Sequence, residues 1–396
     1  MAMSIVSWLG IRGLNAAVPL ALLSGALALC WMLPAAIIPI QALSHLETAQ
    51  KVSVLFFAVS VAGVAAAVFV PLIVHVIGRR RLFALGAGCI FASAVMLSWD
   101  STTSLIIGTA LRIVGFLSMD IVIETIIMER IARRALARFE AARIFCMGVG
   151  FIIGPWLGIW LANHWTFSSP FILLIAVLGI VYIYTVRSQL SASLDDPRTQ
   201  TKPPNPFRFV SRFCHQPRLR LAWVLAFARA SFWTMFFIYA PIYCVQVGLG
   251  EESAGLVLSF GSAAILLAPL FGRIGRRIGV RRLLTLGYLG TGIMTMGVAV
   301  VGEWAWAGVT FLLLAAVCAA VIDAVGNALF LRAVHSYERP EMTAVFTTYR
   351  EMAHLTGPGV FSILLTFFAL PSVFVVSGLS MVVMTSMTQF IPKRFR

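Results

Sequence analysis

Long apolar stretches separated by short polar connections dominate the pattern of this chain. A helix needs about 20 consecutive apolar residues to cross the hydrocarbon core of a bilayer. Twelve stretches meet this requirement and predict twelve transmembrane helices. The predicted spans cover residues 16–40, 52–77, 82–99, 103–128, 141–162, 169–186, 220–247, 253–272, 283–301, 305–331, 343–369 and 371–391. The first span is too long for a cleavable signal peptide, and another follows at once, so we expect it to be retained.

Composition and charge agree with this pattern. Sixty per cent of the 396 residues are hydrophobic and only 11% are charged, whereas a soluble domain needs a charged surface. Of the 30 Lys and Arg residues, 26 lie in or within three residues of the N-terminus, the even-numbered connections and the C-terminus, against one, Lys51, in an odd-numbered connection. The positive-inside rule then predicts a bacterial-type inner (plasma) membrane protein with both termini cytoplasmic. No extramembrane segment is long enough for a basic nucleic-acid-binding domain, so the net charge of +15 does not predict that partner.

The longest polar stretch, residues 187–218, is rich in chain breakers and cannot lie in lipid. It predicts an N-terminal six-helix bundle (1–186), a cytoplasmic linker (187–219) and a C-terminal six-helix bundle (220–396). Residues 207–218 suit either a short helix on the membrane surface or a plain solvated linker.

Self-comparison indicates that the two halves arose by duplication. At an offset of 201, residues 78–86 match residues 279–287 at six of nine positions. At an offset of 203, Asp120 aligns with Asp323, and Gly154-Pro155 aligns with Gly357-Pro358. These matches lie in equivalent spans, so we predict an all-α membrane protein of two pseudo-symmetric six-helix bundles.

Twelve spans, a six-plus-six division, a long central loop and basic turns after spans two and eight resemble the major facilitator superfamily, across essentially the whole chain. The family signature between the second and third spans reads G-x-x-x-D-R-x-G-R-R. The first copy keeps Gly78, Arg79 and Arg80 but has His75 at the acidic position. The resemblance implies a gating role for these arginines, with contacts that differ from the family's usual charged latch.

The second copy of the signature keeps Gly272, Arg277, Gly279 and Arg281 and has Arg276 at the acidic position. By the same resemblance, Arg277 and Arg281 are expected to take part in gating. Neither copy carries the acid that the family's latch uses.

In the fifth span, Gly150, Gly154, Pro155 and Gly158 resemble the G-x-x-x-G-P-x-x-G motif of the family's proton-coupled exporters. Small residues let helices approach closely, and proline bends a helix by removing a backbone hydrogen bond. The motif favours export over uptake. In the fourth span, Arg112 resembles the arginine of the family's Arg-x-x-x-Gly motif, although the glycine falls one residue early.

Ionisable side chains inside spans are costly unless they face a partner or a wet cavity. Arg112 and Arg229 lie near mid-membrane, one in each half, and suit either an anionic substrate or internal pairing. Asp120 and Glu124 share a helix face, and Asp323 and Asn327 repeat their spacing. We expect these four residues to form gate contacts with arginines of the loops; the alternative is that they bind protons.

The eleventh span carries Arg350, Glu351 and His354, with Glu351 and His354 on one helix face. An acid or imidazole in this setting can load and release a proton. We therefore expect proton coupling here, the alternative being internal neutralisation.

The seventh span is rich in aromatic residues. The resemblance implies that it lines a cavity, so Trp233, Phe236 and Tyr239 are expected to form walls for a substrate, the alternative being packing. The six cysteines are isolated and read as small buried hydrophobic residues. No phosphate loop, catalytic motif or metal-ligand spacing is present in the sequence, so we expect neither an enzyme nor a cofactor or bound metal.

These observations predict an alternating-access secondary transporter that exports a small amphipathic or anionic molecule in exchange for protons. The expected partners are the lipid bilayer, a small-molecule substrate and protons, and we expect a monomer. Two alternatives stay open: an uptake permease for an organic anion, such as a siderophore-like or phosphorylated solute, and a non-transporting membrane scaffold.

Overall fold

The computed structural model describes residues 17–131, 135–188, 190–194, 206–302, 304–334 and 339–391. These residues form α-helices and two short 3₁₀ segments, with no β-strand among them. The first half contains α1 (Ala17–Met32), α2 (Ile37–Leu46), α3 (Ala49–Ile77), α4 (Arg79–Leu97), α5 (Thr102–Arg130), α6 (Leu136–His164), α7 (Ser169–Arg187) and α8 (Ser191–Leu194).

The second half contains the remaining helices. They are α9 (Pro206–Cys214), α10 (Pro217–Gln246), α11 (Gly250–Ala263), α12 (Ala268–Ile278), α13 (Val280–Val300), α14 (Ala305–Ala333), α15 (Arg339–Phe346), α16 (Thr348–Phe367) and α17 (Pro371–Met387). The 3₁₀ segments are Ala264–Leu267, between α11 and α12, and Thr388–Phe390.

Eleven helical stretches of the described residues are long and apolar enough to cross a membrane. They correspond to every predicted span except the eleventh. That span is α16, whose first two turns carry Arg350, Glu351 and His354 and so lower its mean hydropathy. Of the two readings of residues 207–218, the structure has a helix over part of them, α9.

The helix pairings of the first half recur in the second. In the first half, α1 packs on α6 and α7, and α4 packs on α5 and α7. In the second half, α10 packs on α16 and α17, and α13 packs on α14 and α17. Each pair recurs six spans later, as expected for a duplicated bundle.

The chain divides into two compact units, residues 1–41 with 62–203 and residues 42–61 with 204–396. The division runs through α3, whose first residues pack within the second unit. The two-bundle boundaries drawn from the sequence, with a linker over 187–219, stay a prediction, and part of that linker lies outside the described residues.

The first span is interrupted between α1 and α2. Pro34 lacks a backbone N–H, and the Ala35 N–H donates to the Met32 carbonyl at 3.0 Å instead of continuing the helical ladder to Trp31. The Trp31 carbonyl oxygen is thus left without its helical donor at the end of α1.

Candidate functional site

An ion pair in the second unit joins α10 to α14. Arg229 Nε lies 3.3 Å from Asp323 Oδ1, and the side chains are 8% and 20% exposed, respectively. The Trp233 indole Nε1 donates to the other carboxylate oxygen, Oδ2, at 2.8 Å. Arg229 and Trp233 are four residues apart on one helix face, so α10 holds both oxygens of the Asp323 carboxylate.

Tyr349 of α16 links this pair to a second arginine. Its hydroxyl accepts hydrogen bonds from Arg229 Nη2 at 3.0 Å and from Arg350 Nε at 3.3 Å. The guanidinium carbon of Arg229 lies 5.7 Å from the Tyr349 ring centroid. A Cβ added to Gly326 would come within 3.0 Å of Arg229 Nη1, so the glycine leaves room for the guanidinium. Arg229 is therefore enclosed by three helices, α10, α14 and α16.

The three predicted coupling residues lie in the first two turns of α16, beside this pair. Thr234 Oγ1 lies 3.2 Å from His354 Nδ1. The His354 backbone carbonyl accepts a hydrogen bond from Ser60 Oγ at 2.8 Å. Glu351 is partly buried and lies within the electrostatic range of Arg350. The Arg229–Asp323 pair and the α16 residues thus form one connected cluster in the second unit.

The three predicted aromatic walls occupy different environments. Phe236 is fully buried, and a Cβ on Gly261 would overlap its ring, so it packs against α11. Tyr239 is fully buried, and its hydroxyl lies 2.6 Å from Ser53 Oγ. Trp233 is partly buried and stacks on Phe237, with ring centroids 5.9 Å apart. Of the three rings, Trp233 alone keeps an accessible surface.

In the first unit, Arg112 of α5 contacts the interrupted first span. Its Nη2 donates to the Trp31 carbonyl, the oxygen whose helical donor, the Ala35 N–H, bonds to Met32 instead. Its guanidinium also lies 3.9 Å from the Trp31 ring centroid, a cation–π contact. Arg112 is 7% exposed, so the guanidinium is enclosed and caps the end of α1.

A second buried arginine, Arg143 of α6, was not among the predicted site residues. Its Nη2 contacts Glu124 Oε1, its Nη1 lies 3.3 Å from Glu140 Oε1, and its side chain is 9% exposed. Asp120 lies within its electrostatic range. Arg143 lies within the predicted fifth span, 141–162, and α6 extends further towards the N-terminus, to Leu136. An arginine inside a predicted span is the signal that singled out Arg112 and Arg229, and the same signal would have revealed Arg143.

The glycines of the fifth span let α6 meet the backbone of α1. A Cβ on Gly150 would lie 2.7 Å from Leu29 N, and one on Gly154 would lie 2.5 Å from Met32 Cβ. A Cβ on Gly158 would overlap the Leu33 carbonyl oxygen. In the second copy the nearest atom to a Cβ on Gly357 is 3.8 Å away. The motif thus allows backbone contact in the first half, and Pro155 and Pro358 both lie inside their helices.

Comparison with known proteins agrees with this architecture. The sequence profile of the Major Facilitator Superfamily matches residues 20–302 and 248–394, nearly the whole chain. The chain belongs to the Major Facilitator Superfamily. This membership confirms the predicted fold class, an all-α membrane protein of the facilitator type. It also places the chain in a family of transport proteins rather than enzymes.

Individual relatives of this facilitator are distant. "Multidrug resistance protein MdtG" of Klebsiella pneumoniae (strain 342) is 24% identical over 227 residues, which cover 53% of this chain and 51% of the relative. The chain thus matches about half the length of that curated relative.

Solved structures resemble the facilitator over nearly its full length. A crystal structure of the peptide transporter POT in complex with sulfate has a TM-score of 0.74 and 14% identity, covering 96% of this chain and 94% of that one. The nucleoside transporter NupG has a TM-score of 0.70 and 14% identity, covering 96% and 100%. At these identities the likeness shows the fold.

In the first loop signature of this facilitator, Arg79 pairs with an acidic residue of a different helix. Arg79 Nη2 lies 2.7 Å from Glu129 Oε1, and Arg79 Nη1 donates to Glu129 Oε2 at 2.8 Å. Glu129 lies in the last turn of α5, so the fourth span supplies the carboxylate that position 75 lacks. This bidentate pair is largely buried on the Arg79 side, with 6% exposure.

The other predicted gate residues differ in exposure. Arg80 and Arg277 are exposed, and Arg281 is partly buried. Asn327 lies in α14, and its side chain is outside the described residues. The partners of Asp323 in the structure are Arg229 and Trp233, and those of Glu124 include Arg143. The gating assignments stay predictions.

Replacing Tyr239 with Phe is expected to lower the free energy of unfolding by about 1 kcal/mol, because it leaves the fully buried Ser53 hydroxyl without the phenol oxygen. Thermal unfolding of the purified protein in detergent measures the effect. Ser53→Ala and the Tyr239→Phe/Ser53→Ala double variant complete a cycle. Additive effects of the two substitutions would contradict a direct hydrogen bond.

Proposed function

We propose that this protein is a secondary active transporter that works by alternating access and exports a small amphipathic or anionic molecule in exchange for protons. The observation that carries the proposal is the Arg229–Asp323 ion pair, held by Trp233 and Tyr349 within membrane-spanning helices. Buried ion pairs stabilise a fold no better than well-packed apolar side chains. Their place inside spans therefore supports a functional role.

Direction and orientation are part of the proposal. Export is supported by the exporter-like glycines of α6, which bring α1 and α6 into backbone contact. It is also supported by partial similarity to a protein named for multidrug resistance. The strong segregation of Lys and Arg supports cytoplasmic termini in an inner membrane.

Protons are proposed to enter through the cluster on α16 and α14. Glu351 is a partly buried acid next to Arg350, and Tyr349 connects Arg350 to the Arg229–Asp323 pair. A proton that neutralises either acid changes the balance of charge on the arginines it faces. In an alternating-access cycle, such a change favours one arrangement of the two halves over the other.

Glu351→Gln is expected to abolish substrate-dependent proton movement while leaving the protein folded, because the amide keeps the shape of the side chain without its titratable group. The assay uses proteoliposomes with an imposed pH gradient and an internal pH-sensitive dye, screening anionic and cationic amphiphiles. Glu251→Gln, an exposed acid in the first turn of α11, is the matched control and should behave as wild type.

The outcomes of this assay separate the candidate functions. Unchanged proton movement in Glu351→Gln would remove Glu351 from the coupling route. Substrate accumulation in the opposite direction, with anions favoured, would identify an uptake permease for organic anions. No transport by any variant, combined with loss of a partner complex, would favour a scaffold.

A further inference from the structure

Trp233 belongs to the charged cluster and to an aromatic cluster at the same time. Its indole N–H donates to Asp323 Oδ2 at 2.8 Å. Its ring stacks on Phe237 at 5.9 Å and meets Phe232 and Phe236 edge-on at 5.5 Å and 5.6 Å. Phe232 and Phe236 are fully buried, whereas Trp233 and Phe237 are partly buried. The pair formed by Trp233 and Phe237 is the aromatic face of α10.

The Trp233 indole makes one hydrogen bond in the described cluster. Its N–H is a donor and the ring has no acceptor, so the only hydrogen bond that it makes in the described cluster is to the Asp323 carboxylate. A hydrogen bond to an ionised carboxylate is roughly twice as strong as one to a neutral group. The strength with which this hydrogen bond holds the ring therefore depends on the charge of Asp323.

Building on the proposed function, we propose that Trp233 is a positioning residue: it transmits the protonation of Asp323 to the aromatic face of α10, the surface suited to a planar apolar part of the substrate. With Asp323 ionised, the carboxylate holds the indole N–H, and the Trp233 and Phe237 rings are fixed in one relative orientation. With Asp323 protonated, that hold weakens and the ring is free to turn about its contacts with Phe237. By linkage, a ligand that prefers one arrangement of the face shifts proton binding at Asp323.

Other charged and titratable groups surround Asp323, and the test must hold them constant. Arg229 lies on α10, Arg350 on α16 and Tyr288 on α13, each within electrostatic range of Asp323. The Tyr288 hydroxyl donates to the Leu225 carbonyl at 2.6 Å. Glu351 and His354 lie on α16 within the range of Arg350. None of these groups contacts the indole nitrogen in the described structure, so a change confined to that nitrogen isolates its contribution.

The same helix offers a matched control. Trp223 of α10 donates from Nε1 to a neutral acceptor, Thr348 Oγ1, at 3.2 Å. It also stacks on the ring four residues later, Phe227, at 5.4 Å. Trp223 and Trp233 therefore share helix, ring type and stacking geometry and differ in whether the acceptor carries a charge.

The experiment is a pH titration of tryptophan fluorescence in the purified protein, from about pH 4 to about pH 10. Subtracting the spectrum of Trp233→Phe from that of wild type isolates the Trp233 emission, and Trp223→Phe isolates that of Trp223. The expected result is a pH transition in the Trp233 emission that is lost in an Asp323→Asn background. The Trp223 emission is expected to show no transition that depends on Asp323.

An Arg229→Met/Asp323→Asn background covers the case in which Asp323→Asn alone does not fold, since it removes both charges together. Loss of the Trp233 transition in that background supports the proposal equally. A transition that persists in either background, or a Trp233 emission that does not change with pH, overturns it. This experiment measures no transport, so a negative result would not contradict the proposed transport function. Conversely, a failure to detect proton-coupled transport would not change the interpretation of the fluorescence titration.

Discussion

Asp323→Ala is expected to abolish coupled transport and to lower the free energy of unfolding by about 3–5 kcal/mol, the loss typical of breaking a buried ion pair from one side. Arg229 is 7% exposed, so without the Asp323 carboxylate its charge stays enclosed, with the hydrogen bond to the Tyr349 hydroxyl but without the ion pair. The indole N–H of Trp233 loses its acceptor in the same variant. Thermal unfolding in detergent and transport in proteoliposomes measure the two effects.

The double variant Arg229→Met/Asp323→Asn separates stability from function. Because neither charge remains, most of the lost stability is expected to return, while transport stays absent. Glu251→Ala, an exposed acid on α11, serves as the surface control and should change stability by no more than about 0.5 kcal/mol. If Asp323→Ala unfolds at the wild-type temperature, or the double variant transports normally, the ion pair is not the centre of the site.

Gly158→Ala is expected to destabilise the first unit by about 3 kcal/mol or more, or to prevent its folding. The added methyl group would overlap the Leu33 carbonyl oxygen, and a backbone atom cannot yield as the end of a side chain can. Gly154→Ala is expected to be destabilising as well, because its nearest neighbour, Met32 Cβ at 2.5 Å, is fixed to the backbone, and the Met32 carbonyl carbon lies 3.0 Å away. Yield of folded protein and thermal unfolding measure both variants.

Two further glycines provide controls for this series. Gly179 lies in α7 of the same unit with no atom within 4 Å of an added Cβ, so Gly179→Ala should be neutral or slightly stabilising. Gly357 is the second-half counterpart of Gly154, and its nearest neighbour would be 3.8 Å away. Gly357→Ala is therefore expected to fold normally. Equal damage at positions 158 and 357 would show that the motif acts by something other than close packing.

The partners of the buried charges illustrate what a linear pattern leaves open. Sequence reasoning singled out Arg229 as a substrate ligand and Asp323 as a gate residue, on two different spans, without joining them. The structure brings them to 3.3 Å. Likewise, Tyr349 and Glu129 carry no sequence signal beyond their place at the polar ends of spans, yet they contact Arg229 and Arg79. Charge pairing across helices depends on helix rotation, which periodicity fixes poorly when a helix is apolar on all sides.

The aromatic residues of the seventh span show the same limit. Composition indicates that this helix is unusual, but it does not say which rings pack inside. Phe236 and Tyr239 are fully buried, whereas Trp233 is partly buried and its indole N–H donates to Asp323. A one-residue difference on a helix turns a side chain by about 100°, so neighbouring rings meet different surroundings.

The sequence by itself determined the membrane-embedded class, the positions of the spans, the internal duplication and the family. A bilayer requires helices of a certain length and confines charges to their ends. Both constraints can be seen in the sequence as the lengths of the apolar stretches and the positions of the charged residues. Only the tertiary structure decided the contacts: the cap that Arg112 places on α1, the enclosure of Arg143 by acids and the Arg229–Asp323–Trp233 cluster. These depend on which faces of distant helices meet, and packing of side chains and small residues between helices selects those faces.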